Sequence, residues 1–288
     1  MLPLGATARC AKGAPLTDLA LSPLGHATTY ADGYDAALLF SVERAPLRGE
    51  LGLVDPLPFR GADLWTAYEL SWLDSEGRPQ VAIATFAVAA ESPRIVESKS
   101  VKLYLTAFNQ TRFATPAAVA ATIARDIGAA TGVPIHVSLL PPEHLAALPQ
   151  GELAGESIDA LPLPTGTGAP APELLVAAGP SVGETLCTRL FRSVCPVTGQ
   201  PDYASVQIRY RGPRIDAAGL LGYLLSFRRH PGFHEHCVER IFVDLARRCA
   251  PEALSVYARF TRRGGVDINP GRSSGVEPPP DNLRTARQ

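Results

Sequence analysis

Cys195 is followed by Pro196, Val197, Thr198, Gly199, Gln200, Pro201 and Asp202. The two prolines stiffen a short loop between strand-like stretches, and the carboxylate stands at its far end. A thiol held near a carboxylate can act as a nucleophile with its acid or base. A free thiol titrates near ~8.5, so little is thiolate at neutral pH unless the site helps. On this segment alone, a small apolar side chain in a turn is the stronger reading. Cys187 and Cys237 read as strand and helix packing residues, Cys10 lies in an unpatterned terminus, and Cys249 ends a helix.

Three further segments carry polar chemistry. Phe233-His234-Glu235-His236-Cys237 opens a helix. Its spacing argues against metal: His234 and Cys237 share a helical face, but no third ligand stands nearby. At a helix start, His234 and Glu235 point toward the loop end, where a ligand could meet them. Glu235 there also complements the helix dipole. Glu97-Ser98-Lys99-Ser100-Val101-Lys102 opens another helix, either as a capped, charged start or as a ligand platform. In the second case the carboxylate accepts N–H bonds from a planar nitrogen base, and Ser98 and Lys99 favour phosphate. Thr261-Arg262-Arg263-Gly264-Gly265 is a solvated strand end and turn, or a place for guanidinium and backbone N–H groups to hold phosphate. Thr165-Gly166-Thr167-Gly168 starts like a dinucleotide glycine fingerprint. It lacks the third glycine and the strand–helix context, so a nicotinamide cofactor would be bound some other way.

These segments sit on a repeating order of elements. Trp65–Leu73 and Val81–Val88 read as strands joined by a turn at Asp74-Ser75-Glu76-Gly77. Val101, Leu105 and Phe108 mark one helical face, and Thr115 with Pro116 starts a second helix running to Ala130. Val133–Leu139 alternates as a strand. The second half gives strands at Thr185–Ser193 and Tyr203–Arg211, helices at Asp216–Arg228 and Phe233–Cys249, and a strand at Leu254–Thr261. Pro93-Arg94-Ile95 recurs as Pro213-Arg214-Ile215, and Tyr104-Leu105 with Phe108 as Tyr223-Leu224 with Phe227. Val133, Ile135, Val137 and Leu139 recur as Leu254, Val256, Ala258 and Phe260. Three matches in register make two copies of one module. The fold class is α+β, an antiparallel sheet with a helix pair on one face. The expected division is a module at 1–148, a Pro/Gly-rich connection at 149–180 able to carry a short strand, and a module at 181–288 ending in an irregular tail from about 264.

Composition bounds the function. The chain has 288 residues, 46% hydrophobic and 19% charged, enough for a real core without staples or metal. A net charge of −1 argues against a broad surface for nucleic acid or anionic lipid. The longest uncharged apolar run, Val81 to Ala90, is far short of the ~20 residues of a membrane span. The N-terminus lacks the pattern of a secretory signal, and five cysteines without C-x-x-C spacing suit a reducing, cytoplasmic setting.

Together the segments resemble the NADPH-dependent 7-cyano-7-deazaguanine reductases, the QueF-type nitrile reductases of queuosine biosynthesis, in their long two-module form. The match lies in Glu97 to Tyr104, Cys195 to Asp202, Phe233-His234-Glu235, Trp65 to Trp72, and Arg262 to Pro270. It runs from about Leu24 to the end and is weakest over 149–180. The resemblance implies tandem tunnelling-fold (T-fold) modules and a homodimer. It implies that Cys195 attacks the nitrile carbon to give a thioimide, that Asp202 supplies protons, and that His234 assists and holds the substrate. Glu97 and Glu235 would bind the base edge, with Val96 and Ser98 adding backbone contacts. Ser98, Lys99, Arg263 and Gly264 would hold NADPH, and no metal is needed. Glu97 and Cys195 belong to different halves, so the site is expected between them. Two other classes fit the bare residues. One is a cofactor-independent thiol acyl transferase or hydrolase; the other is a non-catalytic purine- or pterin-binding module.

Overall fold

The computed structural model describes residues 33–163, 169–275 and 282–288, with the backbone alone at 145–147. Cys10 and the Thr165–Gly168 segment lie outside the described residues. The first half holds a short strand β1 (Ser41–Glu43), helix α1 (Arg44–Glu50) and the hairpin β2 (Arg60–Leu73) and β3 (Pro79–Ala89). Strand β4 (Arg94–Val96), helices α2 (Ser98–Thr106) and α3 (Pro116–Thr131), and strand β5 (Val137–Leu140) follow. A two-residue strand β6 (Glu156–Ser157) precedes the second half. There the order is β7 (Ala177–Val194), β8 (Pro201–Ile215), α4 (Ala217–Ser226), α5 (His234–Cys249), β9 (Ala253–Phe260) and β10 (Val266–Ser273).

Local chemistry explains the helix ends. Thr115 caps α3 through Ala118 N at 3.2 Å, and Pro116 occupies its first position. Helix α3 stops at Gly132, which takes the left-handed conformation at φ 80°. Pro134 then denies the ladder a donor, which delays β5 to Val137, four residues after the expected start. Val133 and Ile135 still pack against the first core. Strand β7 begins earlier than expected, inside the segment read as a connection, because a register shift between Ala178 and Ser181 accommodates Pro180.

Eight strands form one sheet in the order β5-β3-β2-β10-β9-β8-β7-β6, antiparallel except at β6–β7. The α+β reading holds. The helix pairs define two cores. One packs Val101, Tyr104, Phe108, Ile123 and Ile127 on Trp65, Ala84 and Phe86. The other packs Leu220, Tyr223, Val238 and Phe242 on Val206, Val256 and Phe260.

The segment from Gly264 onward corrects an expectation. It was read as irregular, yet β10 is a central strand that pairs with β2 over Val266–Ser273 and with β9 over Gly271–Ser273. Pro270 and Gly271 cut its apolar–polar alternation short after Asn269. Asp267, Asn269 and Arg272 are buried because each finds partners: Tyr68 Oη donates to Asp267 at 2.6 Å, and Asn269 Nδ2 donates to Asp267 at 2.6 Å. Arg272 pairs with Asp63 and with Glu239, each at 2.9 Å. This strand joins the two halves into one sheet.

Candidate active site

The β7–β8 hairpin sets the central geometry. Ser193 pairs with Asp202 and Val194 with Pro201. Cys195 N donates to Gln200 O at 2.8 Å and Gly199 N to Cys195 O at 3.0 Å, closing a tight loop. Cross-strand partners share a face and alternate residues return to it, so Cys195 and Asp202 look the same way. Asp202 is 4% exposed. Its Oδ1 lies 2.8 Å from Arg263 Nη2 and its Oδ2 lies 3.4 Å from His234 Nε2. The His234 ring stacks on Phe260 with centroids 3.7 Å apart, which fixes its plane. His234 Nδ1 is buried without a partner among the described residues, so it is poised to bond a ligand.

Glu97 caps α2. Its Oε1 accepts from Lys99 N at 2.7 Å and its Oε2 from Ser100 N at 2.8 Å. Ser98 Oγ also donates to Oε1, at 3.4 Å, so three of the ~4 acceptor positions of the carboxylate are taken. Arg263, Gly264, Gly265 and Val266 form the hairpin turn between β9 and β10. Arg263 N donates to Val266 O at 3.0 Å, and both glycines take positive φ, 58° and 76°. That is the primed-turn geometry which favours glycine.

A cleft lies between the two halves. Val96, Glu97 and Ser98 line it from the first half, and Cys195, Asp202, His234, Glu235 and Arg263 from the second. Eight of the ten expected residues therefore meet. Lys99 and Gly264 are not in this lining; Gly264 lines an adjoining cavity with Lys102. Cys195 is the only cysteine among the described residues that lines the cleft. Cys237 is buried, which pushes its thiol up to about 12. His236 turns toward Glu50, 3.8 Å away, and burial with Arg240 pulls it down to about 4.

The family model described as "Nitrile reductase, 7-cyano-7-deazaguanine-reductase N-term" matches residues 30–139, and that described as "QueF-like protein" matches 201–278. The "NADPH-dependent 7-cyano-7-deazaguanine reductase" of Burkholderia cenocepacia (strain HI2424) is 57% identical over 271 residues, covering 93% of this chain and 98% of that protein. The protein of the same name from Burkholderia multivorans (strain ATCC 17616 / 249) is 56% identical over 269 residues, with the same coverage. The chain belongs to the NADPH-dependent 7-cyano-7-deazaguanine reductase family. A solved structure, "Crystal structure of the archaeosine synthase QueF-Like in the apo form", shows only a slight likeness: TM-score 0.30 and 18% identity, over 35% of this chain and 99% of that one.

Several residues lining this cleft had no role in the sequence pattern. Ile268 comes from β10, which was missed as a strand. Gly232 and Phe233 come from the approach to α5, and Phe233 leaves the first turn of α5 without a side-chain cap. Lys102 lay in a quoted segment but received no role. It is half-buried beneath Gly264, where an added Cβ would stand 3.1 Å from Lys102 Cδ. Burial and Arg263 lower its pKa, while Glu97 and Asp202 oppose them. Its spacing, three residues after Lys99 on the same helix, was the available signal.

Glu235 is 4% exposed, and burial, with Asp63 nearby, pushes its carboxyl up from 4.5 to about 7. A carboxyl raised on folding is neutral at no cost below about pH 4.5, and the cost grows as pH rises through 7. Glu235→Gln is therefore expected to stabilise the fold by about 3 kcal/mol at pH 8 and by almost nothing at pH 4. Urea denaturation at both pH values checks this; equal gains at both would refute it.

Proposed function

We propose that this protein reduces the nitrile of 7-cyano-7-deazaguanine to the 7-aminomethyl group with NADPH, through a thioimide on Cys195. The observation that carries the reading is the meeting of Cys195, Asp202 and His234 in a cleft shared with Glu97 and Glu235. Relatives that bear this activity in their names match over 93% of the chain.

A nitrile carbon is a weak electrophile, and a soft thiolate adds to it without metal. Cys195 Sγ loses its proton to the Asp202 carboxylate and bonds the nitrile carbon. One π bond of C≡N opens, and the nitrogen takes the proton from Asp202. His234 steers that proton through its contact with Asp202 and offers Nδ1 to the substrate. The acceptor position left on Glu97 receives an N–H of the base edge, and the Val96 and Ser98 backbone adds contacts. Glu235, with its carboxyl near neutrality's midpoint, can accept or donate at that edge. Covalent capture keeps the half-reduced imine from escaping to water.

The residues fit the cofactor. Arg263 and Lys102 bring two cations to the Gly264 turn, beside the N-terminus of α2 with Ser98 and Lys99, a setting for phosphate. NADPH, when bound, supplies hydride, and two hydrides with two protons take a nitrile to a primary amine. The test is NADPH oxidation on adding the nitrile, followed by the nicotinamide absorbance. The expected result is two NADPH consumed per amine formed. Turnover of a thioester without NADPH consumption would favour a thiol acyl transferase or hydrolase instead.

The finer readings have narrower support. The homodimer rests on the resemblance. The cytoplasmic setting is supported by free Cys187, Cys195, Cys237 and Cys249, and the absence of direct nucleic-acid binding by a net charge of −1. No helix among the described residues is long and apolar enough to cross a membrane. The tandem-module division is supported by a repeated bond: Tyr104 Oη donates to Asp126 at 2.7 Å, and Tyr223 Oη to Asp244 at 2.6 Å.

A further inference from the structure

Arg263 entered the reading above only as a cofactor residue, yet its guanidinium is engaged at the other end of the chemistry. Its Nη2 lies 2.8 Å from Asp202 Oδ1. Its Nη1 donates to Gln200 Oε1 at 2.7 Å. Gln200 belongs to the nucleophile's own loop, where its backbone oxygen accepts from Cys195 N at 2.8 Å. A closed ring of contacts thus runs from Cys195 to Gln200, to Arg263, to Asp202, and back along the paired strands through Ser193 and Val194. The two side-chain contacts fix the guanidinium plane, and that plane fixes the Asp202 carboxylate from one side. His234 Nε2, 3.4 Å from Oδ2, holds it from the other.

We propose that Arg263 is a positioning residue for the covalent step, acting through Asp202 before any cofactor is present. It holds the proton acceptor and the loop of the nucleophile in one fixed relation. The thiol proton then has a placed acceptor when Cys195 bonds the nitrile carbon, and the same carboxyl returns that proton to the nitrile nitrogen. The guanidinium has five N–H donors, and these two contacts leave others for a phosphate. Positioning and cofactor binding are therefore compatible in one side chain. Losing the clamp leaves the reacting groups in place but lets them wander, which costs on the order of 10²-fold when the displacement is about 1 Å.

The inference rests on the thioimide reading, and the test separates the two. The rate of adduct formation is followed by intact-mass spectrometry with the nitrile alone, without NADPH. Arg263→Gln is expected to slow the adduct by about 10- to 100-fold. Arg263→Lys is expected to recover part of the rate, since one donor can still reach Asp202. Gln200→Leu, which frees Arg263 Nη1 while leaving the Arg263–Asp202 pair in place, is expected to fall between Arg263→Gln and the wild type. Nitrile affinity, measured in the Cys195→Ala background with and without Arg263→Gln, is expected to be the same. An adduct rate equal to wild type in Arg263→Gln, with only NADPH affinity lost, would overturn the proposal and leave the thioimide intact. A matching loss of nitrile affinity would also overturn it, by showing damage to the whole cleft. If the wild type itself forms no adduct, the thioimide reading fails and this inference fails with it.

Discussion

Cys195→Ala is expected to abolish both the covalent adduct and nitrile reduction, with turnover falling by ~10⁴-fold or more, as for loss of a nucleophile elsewhere. The expectation follows from position. Cys195 sits on a loop tied at both ends, by Cys195 N to Gln200 O at 2.8 Å and by the Val194–Pro201 pair. The other described cysteines cannot replace it. Cys237 is fully buried with its thiol pushed to about 12 by burial, and Cys187 and Cys249 are also raised by burial. None of the three lines the cleft. Glu97, Glu235 and His234 remain in the variant, so the nitrile still binds and the loss falls on kcat rather than KM. Intact-mass spectrometry with the nitrile checks it: an adduct on wild type and none on Cys195→Ala. An adduct on both proteins would place the chemistry at another residue.

Glu239→Ala is expected to cost the fold about 3–5 kcal/mol, the range for removing one partner of a buried ion pair. Glu239 is 2% exposed and receives three arginines. Arg48 Nη2 lies 2.7 Å away, Arg272 Nη2 2.9 Å and Arg44 Nη1 3.6 Å. Burial pushes the carboxyl up, but Arg272, Arg48 and Arg44 outweigh it and hold Glu239 at about 2. Without it, Asp63 is the one carboxylate left to Arg44 and Arg272, and Arg48 keeps only the carbonyl of Ala90. The cluster joins α1 and β2 of the first half to α5 and β10 of the second, so its failure loosens the contact that forms the cleft. Its sign with pH is definite. A carboxyl lowered on folding stabilises above its unfolded value of 4.5, and that stability fades as pH falls toward 2. Denaturant unfolding should therefore show a large gap between variant and wild type at pH 7 and a smaller one at pH 3. A gap that does not shrink on acidification would mean that lost packing, not charge, dominates.

Local signals were enough for most elements. Helix α3 announces itself through Thr115, Pro116 and Gly132, and α2 and α4 through the capping carboxylates of Glu97 and Asp216. The loop from Cys195 to Asp202 was legible as a stiff turn with a thiol and a carboxylate, because it is contiguous, but its chemistry came from the family resemblance and not from the segment alone. Strand β10 was not legible. Pro270 and Gly271 cut the apolar–polar alternation off after the four residues Val266 to Asn269, too short a run to stand out as a strand. The burial of Asp267 and Arg272 is made possible by Tyr68, Asp63 and Glu239, which lie far away in the chain.

The sequence by itself determined the candidate groups and the local frames that hold them, since a thiol, a proline-stiffened turn and a capped helix are set by neighbours a few residues apart. Only the tertiary structure decided that these frames share one cleft and that Arg263 faces Asp202 as well as the Gly264 turn. It also decided that Glu235 is buried enough to hold its proton near neutral pH. Those outcomes depend on the β2–β10–β9 pairing and on the buried Arg–Glu–Asp cluster. Both bring together residues nearly two hundred positions apart, beyond the reach of any local pattern.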